Sequence, residues 1–315
     1  MNAPATDGPQ VIPEALEGER VDRVVSMLFD LPRREAASLV AAGSVRIAGR
    51  PVGSRSRRVA SGEVLDVTVG PAVAEAPLAP DPGVRFGVVH ADEAVIVVDK
   101  PAGLVVHPGA GNRSATLIHG LLARYPDLAG VGQPERPGLV HRLDAGTSGL
   151  LVVARTAKAY EDLCRQLAAR QVERRYLALV AGHLAAPAGD IDAPIGRSAT
   201  RRTAMAVAAG GRAARTSYEV LAELGEPVEA ALLECRLGSG RTHQIRVHLS
   251  AIGHPVLGDG TYGRPESAAR AAVIGLHRPF LHAHHLAFSH PESASAASFT
   301  SPLPPELEEV RARFR

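Results

Sequence analysis

The rhythm of apolar positions changes several times along this chain. Residues 1–17 are rich in alanine, proline and acids without a period, which predicts a disordered leader. From Arg20 the spacing turns helical: Val21, Val24, Val25 and Leu28 recur at i, i+3, i+4 and i+7 and so share one face. A second helix is predicted after Leu31, with Pro32 near its first position and Gly43 able to take the left-handed cap. VRIAGRPV then reads as a short hairpin around Ala48-Gly49, and Leu65, Val67 and Val69 alternate as a half-buried strand. Residues 71–83 hold four prolines and no period, the pattern of a semi-rigid linker.

Beyond Val84 the pattern is that of a larger domain. The runs at 94–100, 149–155 and 174–182 are continuously apolar, as strands buried on both faces are. Tyr160, Leu163, Cys164 and Leu167 mark an amphipathic helix, with Thr156 as its N-cap. A further helix is predicted after Thr242, with Ile245, Leu249 and Ile252 as its apolar stripe, Gly253 closing it and Arg246 on the flank of its first turn. The stretch 183–232 has broken patterns from which no strand order follows. The expected class is α+β: a mixed domain over 84–315, preceded by a small α/β module over 18–70.

Length and composition narrow this picture. At 315 residues the chain suits one large and one small domain, since single cores rarely grow beyond about 250–300 residues. Apolar and charged fractions of 45% and 22% exclude disorder of the whole chain. The opening residues have neither a basic start nor an apolar core, and no run approaches the ~20 apolar residues of a membrane span. Cys164 and Cys235 form no CxxC pattern, so neither a disulfide framework nor a zinc knuckle is expected. The expectation is a cytoplasmic monomer.

Charge is distributed unevenly. Between Arg20 and Gly70 nine arginines stand against five acids, while the whole chain has only two lysines, Lys100 and Lys158. Arginine suits bidentate contacts to phosphate. Two helices and a few strands studded with Arg33, Arg34, Arg46, Arg50, Arg55, Arg57 and Arg58 resemble the S4 RNA-binding domain, with RREA and AGSVRIAGRPV carrying the resemblance. It implies RNA contacts by Arg33, Arg34, Arg55, Arg57 and Arg58.

The densest chemical signal is LVHRLDAGTSGLLVVAR at 139–155, where a polar loop presents Arg142 and Asp144 ahead of an apolar strand. A carboxylate two positions from an arginine is, in isolation, most simply a structural ion pair. The longer stretch HRLDAGTSGLLVVA resembles the catalytic loop of pseudouridine synthases of the RluA/RluD type. VDKPAGLVVHPG at 98–109, RRYLALVAG with Tyr176, and GSGRTHQIRVHLSAIGHPVLGDGTYG at 238–263 resemble the same family in the same order. Ala145 departs from it, because many relatives carry a larger, often charged residue after HRLD.

The resemblance implies a mixed, mainly antiparallel catalytic sheet and isomerisation of uridine to pseudouridine in RNA, most of all a stem-loop of large-subunit ribosomal RNA. It assigns Asp144 as nucleophile, Arg246 as its ion-pair partner, Tyr176 as the ring that stacks on uracil, and Arg142 as the side chain that fills the gap left by the flipped base. Arg241 is expected to touch RNA or support the loop. The isomerisation breaks one bond and forms another without redox change, so neither cofactor nor metal is expected. An ionised carboxylate can both attack and leave near neutral pH, provided a cation compensates its charge in the pocket.

Other readings carry less. GTSGL at 146–150 lacks the G-x-S-x-G spacing of a hydrolase elbow, because Gly149 follows Ser148 directly. His277, His282, His284, His285 and His290 could suggest zinc, yet LHAHHLAF reads as a strand with His282 and His284 on one face and His285 on the other. HPVLGDGTYG lacks the lysine of a phosphate loop and reads as a turn-rich wall. The rival from another class is a non-catalytic RNA-binding or ribosome-assembly protein; the intact set of Asp144, Tyr176 and Arg246 argues against it.

Overall fold

The computed structural model describes residues 8–31, 33–68, 78–109, 112–201 and 204–314, with Arg34 described in its backbone alone. The chain divides into two compact units, Met1–Ala76 and Pro77–Arg315. In the first, α1 (Val21–Leu28) and α2 (Arg33–Ala41) pack beside a four-stranded antiparallel sheet. Its strands β1 (Gln10–Val11), β2 (Val45–Ile47), β3 (Arg50–Pro51) and β4 (Val64–Val67) run in the order β1-β4-β2-β3. The helical spacing of Val21, Val24 and Val25 buries all three against Val45, Ile47, Leu65 and Val67, with Leu28 packed on that core. Ala48 and Gly49 take φ of 50° and 76°, the left-handed pair that a two-residue hairpin requires.

The predicted leader is corrected over its second half. Gln10 and Val11 pair with Leu65 and Val64, Glu14–Leu16 forms a 3-10 turn, and Ile12 is buried in the core. The physical reason is that β4 has an edge to pair and Ile12 an apolar side chain to bury, a long-range gain that local composition does not register. Residues 1–7, Pro32, Val69 and residues 71–77 of the predicted linker lie outside the described residues.

The second unit is built on a nine-stranded sheet. Its strands are β5 (Gly87–Ala91), β6 (Val95–Lys100), β9 (Ser148–Ala154), β10 (Glu173–Ala181), β11 (Ala188–Asp192), β14 (Arg215–Leu224), β15 (Ala230–Leu237), β16 (Leu281–Ser289) and β17 (Ala296–Thr300). They run in the order β11-β14-β15-β10-β16-β9-β6-β5, and β17 pairs with β16. Two small hairpins stand apart, β7 (Gly132–Gln133) with β8 (Arg136–Pro137) and β12 (Ile195–Arg197) with β13 (Met205–Val207). All pairings are antiparallel except that of β16 with β9, so the sheet is mixed and mainly antiparallel.

Helices α3 (Leu117–Arg124), α4 (Ala157–Ala168), α5 (Gln244–Ala251), α6 (Pro265–Val273) and α7 (Pro305–Arg311) accompany the sheet. Both faces of the sheet are covered, which is why its central strands are apolar without interruption. Ile96, Val98, Leu151 and Val153 point into one core with α3 and α5, while Val95, Val97, Leu150 and Val152 point into another with α4. Thr156 caps α4 as predicted, its Oγ1 accepting the Ala159 N–H at 3.1 Å. No helix among the described residues is long and apolar enough to cross a membrane.

Candidate active site

The HRLD loop leads into β9 and is tied down from several sides. Gly149 at the start of that strand has φ of 109°, and a Cβ there would lie 2.3 Å from the Ala283 carbonyl oxygen. Only glycine therefore lets β9 meet β16 in parallel, with Ser148 opposite His282. Lys100 is fully buried, and its Nζ donates to the carbonyls of Pro101 and Leu104 at 2.9 Å and of Ala145 at 3.2 Å. Burial lowers this ammonium to about 7, against the opposing pull of Asp144. The Gly103 N–H donates to the same Ala145 oxygen at 2.8 Å, so the residue after Asp144 is pinned twice. On the other flank His141 Nε2 accepts the Val152 N–H at 3.1 Å, and burial holds that imidazole neutral by lowering it to about 3.

Asp144 faces a cavity of about 390 Å³ whose walls include Leu139, Arg174, Tyr176, Arg241, His243 and Arg246. Arg246 Nη1 donates to Asp144 Oδ2 at 3.0 Å, the contact that the family resemblance implied. The same guanidinium donates from Nε and Nη2 to Asp259 at 2.7 and 2.8 Å, and its carbon sits 5.0 Å from the Tyr262 ring centre. Burial opposes the Arg246 charge, but Asp259 and Asp144 outweigh it and raise its pKa. Asp259 has no exposed side-chain surface and accepts the N–H groups of Thr261 and Tyr262 at 2.9 and 3.1 Å. The turn before it needs Gly258, whose φ is 78° and at which a Cβ would lie 2.0 Å from the Arg278 carbonyl oxygen, leaving no room for a side chain.

The start of α5 differs from the expectation. Thr242 does not cap it; His243 occupies the N-cap position with φ of 57° and no side-chain cap bond. Gln244 instead gathers the preceding turn, accepting from Ser239 Oγ at 2.7 Å and the Arg241 N–H at 3.0 Å. The helix is buried all round rather than along a stripe, and Ile252, placed on the stripe by its spacing, is 40% exposed beyond the last turn. His243 turns its Nδ1 to the Tyr262 hydroxyl at 2.7 Å, and its Nε2 lies 3.9 Å from Asp144 Oδ1. The Tyr262 oxygen already accepts the Met205 N–H at 2.9 Å, so its own proton is free to go to Nδ1, which leaves the histidine proton on Nε2 facing Asp144.

Tyr176 lies on the face of β10 that meets Leu143, Ile245 and Leu281. Burial pushes its phenol up to about 12, so it keeps its proton at neutral pH. Arg142 is exposed at the rim, and its Nη1 lies 3.4 Å from His107 Nε2, an imidazole lowered to about 4 mainly by burial. Arg241 is half-buried in the cavity wall and donates from Nε to the Ala213 carbonyl at 3.1 Å.

The structure brings Asp144, Tyr176, Arg246, Arg142 and Arg241 to one cavity. The arginines of the small unit are a separate set. Arg33, Arg55, Arg57 and Arg58 are all exposed, but Arg57 donates to Glu63 at 2.9 Å and Arg58 to the Gly18 carbonyl at 2.7 Å. The side chain of Arg34 lies outside what is described. Sequence reasoning missed Asp259, Lys100 and His243. An acid in the turn GDGTY, following the Asp partner Arg246 by 13 residues, was the available signal for Asp259.

Several of the discounted groups have structural partners. Ser148 Oγ lies 3.0 Å from His282 Nδ1, but these side chains are 3% and 1% exposed and neither lines the cavity. His290 lies 3.1 Å from Asp92 and His285 3.8 Å from Glu173, as single ion-pair contacts.

Residues 94–251 match the profile of the family described as RNA pseudouridylate synthase, and residues 19–65 that of the S4 domain. A protein of Nitrosomonas europaea named ribosomal large subunit pseudouridine synthase D is 50% identical over 222 residues, which span 70% of this chain and 62% of that relative. A Mycobacterium bovis protein named as an uncharacterized RNA pseudouridine synthase is 39% identical over 302 residues, 96% of each chain. The solved structure of human RNA pseudouridylate synthase domain containing 1 is similar with a TM-score of 0.59 and 29% identity, over 75% of this chain and 90% of that one.

Proposed function

The chain belongs to the RNA pseudouridylate synthase family, and from that premise we propose that it isomerises specific uridines of large-subunit ribosomal RNA with Asp144 as nucleophile. The observation that carries the reading is one ionic chain, Asp144–Arg246–Asp259, whose outer end opens on a nucleoside-sized cavity while its inner end is fully buried. A carboxylate anchored in this way can hold a covalent intermediate in a fixed position while the base turns.

Asp144 Oδ2 is occupied by Arg246, which leaves Oδ1 to bond ribose C1′ as the C1′–N1 bond breaks and uracil leaves with that bonding pair. Tyr176, still protonated, stacks on the detached ring and offers it a hydrogen bond. Uracil C5 then attacks C1′ and releases the carboxylate. C5 gives up its proton, N1 gains one, and atoms and electrons balance with no other reagent.

The target must leave its stack, at a cost of a few kcal/mol that favours loops and bulges. Arg142, exposed at the rim, would fill the vacated space. The S4 unit adds phosphate contacts that carry no base information, so affinity should fall steeply with salt. A stem-loop of ribosomal RNA, met in the cytoplasm, fits both parts and the name of the Nitrosomonas relative. Mapping pseudouridines in ribosomal RNA with and without the gene tests this. One or more large-subunit sites should disappear with the gene and return with it; an unchanged map refutes the assignment of substrate.

A further inference from the structure

Arg174 differs from every other arginine of the cavity. It precedes Tyr176 by two residues on β10, points to the same side of the sheet and lines the same cavity. It is only 7% exposed, and its Nε is buried with no hydrogen-bond partner. Arg246 is buried to a similar degree but is held by two carboxylates. No carboxylate lies within ion-pair distance of Arg174 among the described residues, and burial lowers its pKa. A buried guanidinium without a counter-charge is costly unless a ligand supplies one.

The place of Arg174 indicates which part of the substrate that is. Arg136 and Arg142 are exposed and Arg241 half-buried on the wall of this cavity, where they can meet phosphates from outside. Arg174 lies deeper. Residues i and i+2 of a strand are about 7 Å apart on one face, so a ring stacked on Tyr176 brings one of its edges to Arg174.

Resting on the function proposed above, we infer that Arg174 is a further catalytic residue, donating hydrogen bonds to a carbonyl oxygen of uracil and stabilising the negative charge on the ring while it is detached from ribose. When Asp144 bonds C1′ and the C1′–N1 pair leaves with the base, that pair delocalises onto O2 and O4, and the guanidinium faces the charge without transferring a proton. When C5 bonds C1′, the pair returns to carbon, the carboxylate departs and the oxygen becomes neutral again. The interaction is strongest while the ring is anionic, the condition for lowering a barrier rather than for tighter binding.

The test uses the full chain, RNA tritiated at uridine C5, and RNA affinity measured across a salt series. Arg174→Met should lower the rate at saturating RNA by at least about 100-fold, the scale of losing one charge-stabilising donor, with RNA affinity and its salt slope unchanged. Arg174→Lys, which restores the charge, should recover much of that loss. The inference is overturned if Arg174→Met keeps its saturated rate and instead loses affinity with a salt slope smaller by about one, the signature of a phosphate contact. It is equally overturned if Arg174→Lys is as slow as Arg174→Met and both melt well below the parent, the signature of a merely structural residue. A parent chain that releases tritium while Arg174→Met matches it removes this inference alone; a parent that releases none removes the proposed function beneath it.

Discussion

Replacing Asp259 with asparagine removes one of the two charges that hold Arg246. Two hydrogen bonds of 2.7 and 2.8 Å join that pair, and the carboxylate has no exposed surface, so solvent screening is slight. Breaking a buried, hydrogen-bonded ion pair from one side costs about 3–5 kcal/mol. Asparagine keeps one acceptor oxygen and Arg246 keeps Asp144, which places the expectation at the lower end, about 3 kcal/mol. At about 2–4 °C per kcal/mol for a domain of this size, the midpoint of thermal unfolding should fall by about 6–12 °C. The freed guanidinium would swing with Asp144, and a shift of about 1 Å in a reacting group lowers kcat/KM by about 100-fold.

The acid limb adds a signature to the same variant. Burial alone would raise the Asp259 pKa, but Arg246 and two backbone N–H donors overcome it and hold the carboxyl below its ordinary value. The contribution of Asp259 is therefore fully present above the unfolded pKa of about 3.9 and is lost as pH falls through the folded value. Asp259→Asn should lack that part of the acid-dependent loss. Calorimetry from pH 7 downward, together with tritium release, measures all three effects. Unchanged melting and unchanged kcat/KM would refute the claim that Asp259 positions Arg246.

Lys100, lowered to about 7 by burial, titrates near 10.4 when unfolded, so over the interval from about 7 to about 10 the unfolded chain binds a proton that the folded one lacks and stability rises with pH. Lys100→Met should flatten that rise in urea titrations at pH 7 and 9, and should slow tritium release by removing one of the two donors that hold the Ala145 carbonyl. Neutralising Arg55, Arg57 and Arg58 should weaken RNA binding and reduce its salt slope by about one for each phosphate that is no longer neutralised. Because Arg57 and Arg58 also bond within their own unit, Arg55→Ala is the cleaner probe: affinity falls while the melting temperature stays. His243→Asn should release tritium faster than His243→Ala, since asparagine tolerates the left-handed backbone at φ 57° and keeps a donor; equal rates would exclude both roles for that residue.

The readable parts of this sequence were those in which one face decides everything. The apolar runs of β6 and β9 announce strands covered on both sides, and Thr156 announces the start of α4, because burial and capping are local demands. The pairing of Asp144 with Arg246 was legible through the spacing of α5 and the family's motifs. The second carboxylate on Arg246 was not, because Asp259 reaches it through a glycine-dependent turn that no periodicity reports. Lys100 looked like one of two ordinary lysines; its meaning lies in three carbonyls, one of them on another loop. Thr242 has the chemistry of a cap, yet Gln244 satisfies the turn from inside the helix, so His243 is turned toward the cavity. The folded second half of the leader likewise depends on a strand about fifty residues away in sequence.

The central claim is that the Asp144 carboxylate bonds the ribose carbon of an extruded uridine, and the most direct measurement is the rate of tritium release from C5-labelled ribosomal RNA by Asp144→Asn beside the parent chain at equal RNA occupancy. The account predicts release by the parent and none by the variant, with RNA bound equally tightly by both. Release by the variant at a rate near the parent's would contradict it.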